Sequence, residues 1–153
     1  VKDVPALVRL LKEFNEEHNK SVAKNPLLKK YNLKKKKNAD EISKKSFIKT
    51  INSKGGVILL AEDNDQTRGY LEGTVRQPQT CTDKIGSIWD IFVKKEFRGM
   101  RISSMLKEEA FRIFREKGAR YSELNVTINN AKAHSIYKRW GFSDTDRRMM
   151  KKM

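Results

Sequence analysis

The segment IWDIFVKKEFRGMRISSML, residues 88–106, contains three kinds of local structure in succession. An apolar, strand-like run ends at Val93, a short basic turn follows, and a helical pattern begins at Ile102. The first N–H groups of a helix have no partner within the helix, and the helix dipole places partial positive charge there. Arg98 and Arg101 add formal charge at the same place. The segment therefore predicts a site for an anionic group such as phosphate.

Length and composition favour one soluble domain over residues 1–153, with 37% hydrophobic and 35% charged residues. No apolar run approaches the roughly 20 residues that a membrane helix needs, and the first residues carry no signal-peptide pattern. The single cysteine, Cys81, excludes an internal disulfide. Without a CxxC pair or a histidine cluster, no metal is expected. We expect a cytoplasmic protein, without membrane contact, that is a monomer or a homodimer.

Positive charge dominates the chain, with a formal net charge of +15. Twelve lysines lie between Lys20 and Lys54, against only Asp40 and Glu41, and the densest run is residues 34–37. Such a patch attracts polyanions, whether nucleic acid, an acidic protein surface or anionic lipid. The other interpretation is a solvated surface, because no arginine and only two aromatic residues are interleaved with the lysines.

Hydrophobic periodicity predicts alternating helices and strands. The predicted elements are helices over about 4–19 and 40–51, strands over 57–61, 68–75 and 87–93, a helix over 102–117, a strand over 121–128, a helix over 131–140 and a strand over 145–151. Asp40 is the expected N-cap of the second helix. A strand, a long helix and a strand imply a right-handed parallel crossover. We expect an α/β fold: a mixed, mostly antiparallel sheet with flanking helices, and the phosphate turn at the carboxyl end of a central strand.

Two motifs carry a resemblance to a known family. VKKEFRGMRIS, residues 93–103, resembles motif A of the GNAT superfamily of acetyl-CoA-dependent N-acetyltransferases, whose turn reads Arg/Gln-x-x-Gly-x-Gly/Ala. LNVTINNAKAHSIYKRWGF, residues 124–142, resembles motif B of that family. The motif B residues in register are Asn130, Ala133, Tyr137, Gly141 and Phe142. The resemblance covers nearly the whole chain and implies a GNAT-like acyl-CoA N-acyltransferase fold.

The chain departs from the family pattern in three places. Arg101 stands where the family usually has glycine, and Ser103 stands where it has glycine or alanine. Either residue can instead bind phosphate, Arg101 by its charge and Ser103 by its hydroxyl, or Arg101 can point away. The family also has a strand before its first helix, and we expect that edge strand to be missing or shortened here.

The resemblance implies a site for acetyl-CoA as the cosubstrate. Its pyrophosphate would bind the turn formed by Arg98, Gly99, Met100, Arg101, Ile102, Ser103 and Ser104. Its pantetheine arm would pair with the backbone of Ile91, Phe92 and Val93, where the family's central strands splay apart. A backbone N–H near Phe92 would polarise the thioester carbonyl. Asn130 and Ala133 complete the implied set, although Asn130 can equally be the N-cap of the next helix.

The implied enzyme moves an acetyl group to a primary amine by direct attack. Because such an amine has a pKa near ~10, it must lose a proton first. Asp90 is the candidate base, directly or through a water, and its other interpretation is to orient substrate or pair with a lysine. Glu72 on the neighbouring strand is the second candidate. Tyr137 would protonate the departing thiolate, unless it is core packing. Trp89 alternates away from Asp90 and is expected to pack under a helix.

The amine acceptor is the least specified part of the prediction. In this family it enters beside the first two helices, and here that region is strongly basic, so a cationic polyamine would be repelled. An acidic peptide, a protein N-terminus in an acidic context or an anionic small amine fits better. The alternative function is a non-catalytic module of the same fold that binds nucleic acid or ribosomes through its basic face.

Overall fold

The computed structural model describes residues 1–27, 29, 36–64, 66–151 and 153. Its elements are α1 Val4–Val22, α2 Ala39–Asn52, β1 Gly56–Asp63, β2 Gln66–Arg76, β3 Lys84–Val93, a 3-10 turn Lys95–Phe97, α3 Ile102–Glu116, β4 Ala119–Leu124 and α4 Ala131–Arg139. They form two compact units, residues 1–14 with 38–125, and residues 15–37 with 126–153. The single domain expected over residues 1–153 stays a prediction.

The first unit contains a four-stranded sheet in the order β1-β2-β3-β4. β1, β2 and β3 are antiparallel neighbours, and β4 pairs parallel to β3 after the crossover through α3. The expected α/β architecture, a mixed and mostly antiparallel sheet with flanking helices, is confirmed. Among the described residues no strand precedes α1, and β1 is one edge of the sheet.

Alternation along β2 produces a separate core on each face of the sheet. Leu71 and Val75 face α3, whose buried residues include Leu106 and Phe114. Tyr70 faces the other side, in a cluster with Phe47 of α2 and with Val4, Leu7 and Leu10 of α1. A side chain at residue 86 would place its Cβ 2.2 Å from the Phe114 ring, so the glycine there lets α3 lie close against β3.

Two local expectations are wrong. Asp40 lies within the first turn of α2, whose N-cap is Asn38, and its carboxylate pairs with Lys12 at 2.7 Å. Residues 145–151 form no strand, and only short coil follows the turn after α4. Their sequence, TDRRMMK, is too charged to bury a face, and the two methionines alone do not supply the alternation of a strand.

Part of the lysine-rich segment lies outside the described residues. Lys34 and Lys35 of the run 34–37 are among the residues that are not described. Asp65, between β1 and β2 in the chain, is another. Among the described residues no helix is long and apolar enough to cross a membrane. The same residues contain no group of three or more His, Cys, Asp or Glu side chains that could hold a metal ion.

Candidate active site

The turn between β3 and α3 presents positive charge and an uncapped helix end. Gly99 has φ +85, and a Cβ there would meet nothing within 4 Å, so conformation and not crowding calls for glycine. Arg101 is the N-cap of α3, but its side chain forms no cap hydrogen bond, and the first turn of the helix has no acidic residue. The donors and charges of this turn therefore suit a pyrophosphate.

Arg98 fastens this turn to the end of the central strand. Its Nε donates to the Val93 carbonyl oxygen at 2.9 Å, and its guanidinium carbon lies 5.7 Å from the centre of the Phe92 ring. One face of the guanidinium is thus engaged by β3 itself. Arg98 both supplies charge near the turn and fixes where the turn begins.

Arg101 is in a backbone conformation that glycine adopts more readily. It has φ +62 and ψ +8, the left-handed region, and it is exposed. This is the position where the family pattern has glycine, and the structure gives the physical reason for that preference. Met100 and Ser103 flank it, the first 57% exposed and the second half-buried.

The central strand extends beyond its parallel partner. β3 pairs with β4 from Lys84 to Ile88, which is opposite Leu124, yet β3 continues to Val93. Residues 89–93, which include the candidate backbone of Ile91, Phe92 and Val93, therefore lie past the last parallel pair with β4. A strand edge of this kind offers backbone donors and acceptors to an extended ligand.

A bulge in β3 separates Trp89 from its neighbours. Glu72 is opposite Asp90 and Gly73 is opposite Ile88, so Trp89 is the extra residue. The expectation that Trp89 packs under a helix is wrong, because its side chain is 54% exposed. The bulge breaks the strict alternation on which that expectation depended.

The two candidate bases are paired with each other on the neighbouring strands β2 and β3. Asp90 is half-buried and accepts a hydrogen bond at its Oδ2 from the Tyr70 hydroxyl at 3.3 Å. Glu72 is 6% exposed, and its Oε1 accepts a hydrogen bond from the Thr50 hydroxyl at 2.7 Å. Burial raises the pKa of Glu72, the negative charge of Asp90 raises it further, and the Thr50 bond lowers it.

Tyr70 and Thr50 were not among the residues that the sequence singled out. Burial, followed by the charge of Asp90, raises the pKa of the Tyr70 phenol, so it stays protonated and acts as a donor. The alternation of residues along β2 puts Tyr70 on the same face as Glu72. Thr50 carried a weaker signal, a polar residue three positions after Phe47 on the apolar side of α2.

The motif B residues in register with the family lie in the second unit. The Asn130 side chain accepts a hydrogen bond from the Ala133 N–H at 3.3 Å, so Asn130 is the N-cap of α4. Tyr137 is half-buried, with its ring centre 6.3 Å from Phe142 and 5.5 Å from Trp140.

The end of α4 is a Schellman motif that fixes Tyr137. Gly141 has φ +89, its N–H donates to the Lys138 carbonyl at 3.0 Å, and the Phe142 N–H donates to the Tyr137 carbonyl at 3.0 Å. Nearby, His134 Nε2 and Asp144 Oδ1 are 2.7 Å apart on the exposed surface. His134 is half-buried and has a partner within the same unit.

Comparison with known proteins identifies similar chains. Residues 11–142 match the family model of the acetyltransferase (GNAT) family. A 63-residue stretch, 41% of this chain, is 35% identical to an uncharacterized N-acetyltransferase of Methanocaldococcus jannaschii, and it spans 28% of that relative's length.

Solved structures share the fold. A mutant of the BH1408 protein from Bacillus halodurans has a TM-score of 0.80 at 17% identity, over 99% of this chain and 94% of that one. The aminoglycoside N-acetyltransferase AAC(6')-Iy, in complex with CoA, has a TM-score of 0.66 at 16% identity, over 74% of this chain and 77% of that one.

Proposed function

Because the chain belongs to the acetyltransferase (GNAT) family, a family of acyltransferase enzymes, we propose that it moves an acetyl group from acetyl-CoA to a primary amine. The observation that carries the proposal is the turn from Arg98 to Arg101. This turn connects two features. The strand before it extends beyond its last parallel pair with β4, and the helix after it has no side-chain cap from Arg101. Acetyl-CoA supplies the activated thioester.

In this proposal the first unit binds the cosubstrate and takes up the amine's proton. The uncapped N–H groups of α3, with Arg98 and Arg101, hold the pyrophosphate. The backbone of residues 91–93 holds the pantetheine arm. The N–H near Phe92 polarises the carbonyl, and Asp90 takes the proton of the amine. Asn130 and Ala133 contribute from motif B.

Tyr137 is the proposed acid that protonates the departing thiolate. Removing its hydroxyl in Tyr137→Phe should lower kcat by about 100-fold, the lower end of what a positioned acid contributes. Coenzyme A binding, measured by calorimetry, should remain intact. Tyr121→Phe is the matched control, because Tyr121 is 61% exposed on β4. Thiol release from acetyl-CoA with a panel of amines is the readout, and no release with any amine would overturn the proposed activity.

The acceptor we propose is a primary amine in an anionic setting. The exposed lysines of α2 are Lys44, Lys45 and Lys49. They attract acidic groups and repel polycations. Acidic peptides should therefore be acetylated with a higher kcat/KM than spermidine. Comparable turnover of the two would contradict this choice of acceptor.

A basic pocket favours a second candidate function, the binding of nucleic acid. An open pocket of about 400 Å³ is lined by Lys54, Arg76, Lys84 and Lys117 at the end of the sheet where β3 begins. Lys84 Nζ donates to the Lys117 carbonyl at 3.1 Å, and Lys117 Nζ donates to the Lys54 carbonyl at 2.9 Å. These bonds fix two ammonium groups beside the pocket.

Salt-dependent RNA binding separates the two functions. If nucleic acid is the partner, affinity for single-stranded RNA falls steeply with salt, and Lys54→Ala with Lys84→Ala reduces the slope by about two phosphate contacts. Lys44→Ala with Lys45→Ala removes the same charge elsewhere and is the control. RNA binding without thiol release would favour this second function over acetyl transfer.

A further inference from the structure

Four polar side chains meet on the face of the sheet that α1 and α2 cover. Tyr70 and Glu72 come from β2, Asp90 comes from β3, and Thr50 comes from α2. Two hydrogen bonds join them in pairs, Tyr70 to Asp90 at 3.3 Å and Thr50 to Glu72 at 2.7 Å. The two carboxylates are direct cross-strand partners, a position that brings Cβ atoms to roughly 5 Å.

We propose that Tyr70 and Thr50 are positioning residues for a carboxylate pair, Asp90 and Glu72, that together holds the proton removed from the acceptor amine. The inference rests on the proposed acetyl transfer and deepens it. Asp90 is the half-buried member that meets the amine, and Glu72 is the buried member behind it. Two adjacent carboxylates do not ionise independently, so the pair takes up one proton more readily than a single exposed carboxylate does.

Tyr70 is positioned to hold Asp90 because it is packed in the core. Its side chain is fully buried, and its ring meets Phe47 edge to face with centres 6.1 Å apart. The phenol stays protonated, so its O–H donates to Asp90 Oδ2 across the working pH range. A donor held beside one oxygen restrains the orientation of the carboxylate.

Thr50 suits both protonation states of Glu72. Its hydroxyl oxygen lies 2.7 Å from Glu72 Oε1 and 3.2 Å from the Ser46 carbonyl oxygen. When Glu72 is ionised, the single hydroxyl proton of Thr50 goes to Glu72. When Glu72 carries a proton, it donates to the Thr50 oxygen, and Thr50 turns its own proton to Ser46. Neither state leaves the buried carboxyl without a hydrogen bond at this oxygen.

No described basic side chain lies within ion-pair distance of Glu72. The groups that face it are Thr50 from α2, Asp90 from β3 and Tyr70 from its own strand, and its partner on β1 is the apolar Ile58.

The proton transfer to the pair breaks one bond and forms one bond. The N–H bond of the ammonium breaks, an O–H bond forms on Asp90, and the nitrogen keeps the electron pair that attacks the thioester.

Carboxyl-carbon NMR of the whole protein, without an acceptor, tests the pairing directly. Asp90 and Glu72 should titrate in two coupled steps. Asp90→Asn should return the Glu72 titration toward its ordinary pKa, Thr50→Val should raise it further, and Thr50→Ser should restore it. A Glu72 titration that neither Asp90→Asn nor Thr50→Val changes would overturn the proposal. This readout needs no turnover, so failure of acetyl transfer shows separately as absent thiol release.

Kinetics test the role of the pair in the reaction. With acetyl-CoA and the amine that the panel identifies, Tyr70→Phe should lower kcat about tenfold and move the acidic limb of the pH profile upward, leaving the KM for acetyl-CoA unchanged. Glu72→Gln should move the acidic limb downward, and Glu62→Gln, an exposed carboxylate on β1, should do neither. Unshifted pH profiles in both Tyr70→Phe and Glu72→Gln, with the fold intact by circular dichroism, would show that neither residue acts on Asp90 in the reaction and would overturn the proposal.

Discussion

Arg101 combines a charge that suits the proposed phosphate site with a backbone conformation that an arginine adopts at a cost. Left-handed geometry costs an L-residue roughly 1–2 kcal/mol, whereas glycine enters it freely and loses more entropy on folding. The family's glycine removes this strain, and the arginine retains it together with one positive charge. Charge and strain therefore have separable effects at one position.

Arg101→Gly should raise the free energy of unfolding by about 0.5–1 kcal/mol, because relief of the left-handed strain exceeds the added chain entropy. It should also weaken coenzyme A binding several-fold, because one charge leaves the turn. Urea denaturation and calorimetry measure the two effects. Arg101→Ala keeps the strain and removes the charge, so it should weaken binding without the gain in stability. Equal stability of the two variants would contradict the strain argument.

Glu72→Gln should stabilise the protein at neutral pH while it impairs transfer. The pKa of Glu72 is raised on folding, so the wild type is relatively more stable below the ordinary glutamate pKa and loses that contribution as pH rises through the folded value. Glutamine has no proton to lose and still accepts from Thr50. We expect the free energy of unfolding to rise by about 1 kcal/mol at pH ~7 and to be unchanged near pH ~4. Thermal denaturation at both pH values measures the difference.

At the level of elements, periodicity predicted most of the sheet and its helices. β1, β2, β3, α3 and α4 lie within a few residues of their predicted ranges, because each has apolar residues at one clear period and a glycine or polar stop. The strand expected over residues 145–151 failed because a short charged run carries too little periodicity. The prediction that Trp89 packs under a helix is wrong because a bulge depends on the partner strand, which the sequence of a single strand does not reveal.

Gly141→Ala should destabilise the end of α4 by about 1 kcal/mol. A Cβ at residue 141 would meet nothing within 4 Å, so the whole cost comes from φ +89. The free energy of unfolding in urea measures it. Gly141→Asn should cost less, because asparagine tolerates left-handed geometry better than alanine does. Equal losses for the two variants would show that the Schellman hydrogen bonds, and not the backbone conformation, limit the substitution.

For the molecule as a whole, the net charge of +15 makes self-repulsion a general destabilising term. Raising salt from about 10 mM to about 150 mM shortens the screening length from roughly 30 Å to about 8 Å. The free energy of unfolding in urea should therefore increase with sodium chloride. A decrease would mean that surface ion pairs such as Lys12 with Asp40 outweigh the repulsion.

Some residues of the candidate site could be predicted from the sequence, and others could not. The sequence, through its resemblance to the family, singled out Asp90, Glu72 and the Arg98 to Arg101 turn as candidates, because both family motifs stand in clear strand and helix patterns. It did not identify Tyr70 and Thr50 as partners. The Thr50–Glu72 bond depends on how α2 lies on the sheet, and the Tyr70–Asp90 bond depends on how β2 pairs with β3. Each bond joins residues at least twenty positions apart.

The hydrogen bonds that close α4 change what the pattern Tyr-x-x-x-Gly-Phe means when it is met in other chains. Glycine and phenylalanine in that pattern are what any helix of this kind needs in order to stop, and the tyrosine is held by the same closure. A protein that has lost its chemistry keeps this requirement as long as it keeps its helix. The pattern by itself therefore indicates family membership and a helix of this kind. Whether such a protein is still catalytically active has to be judged from the carboxylates on the sheet.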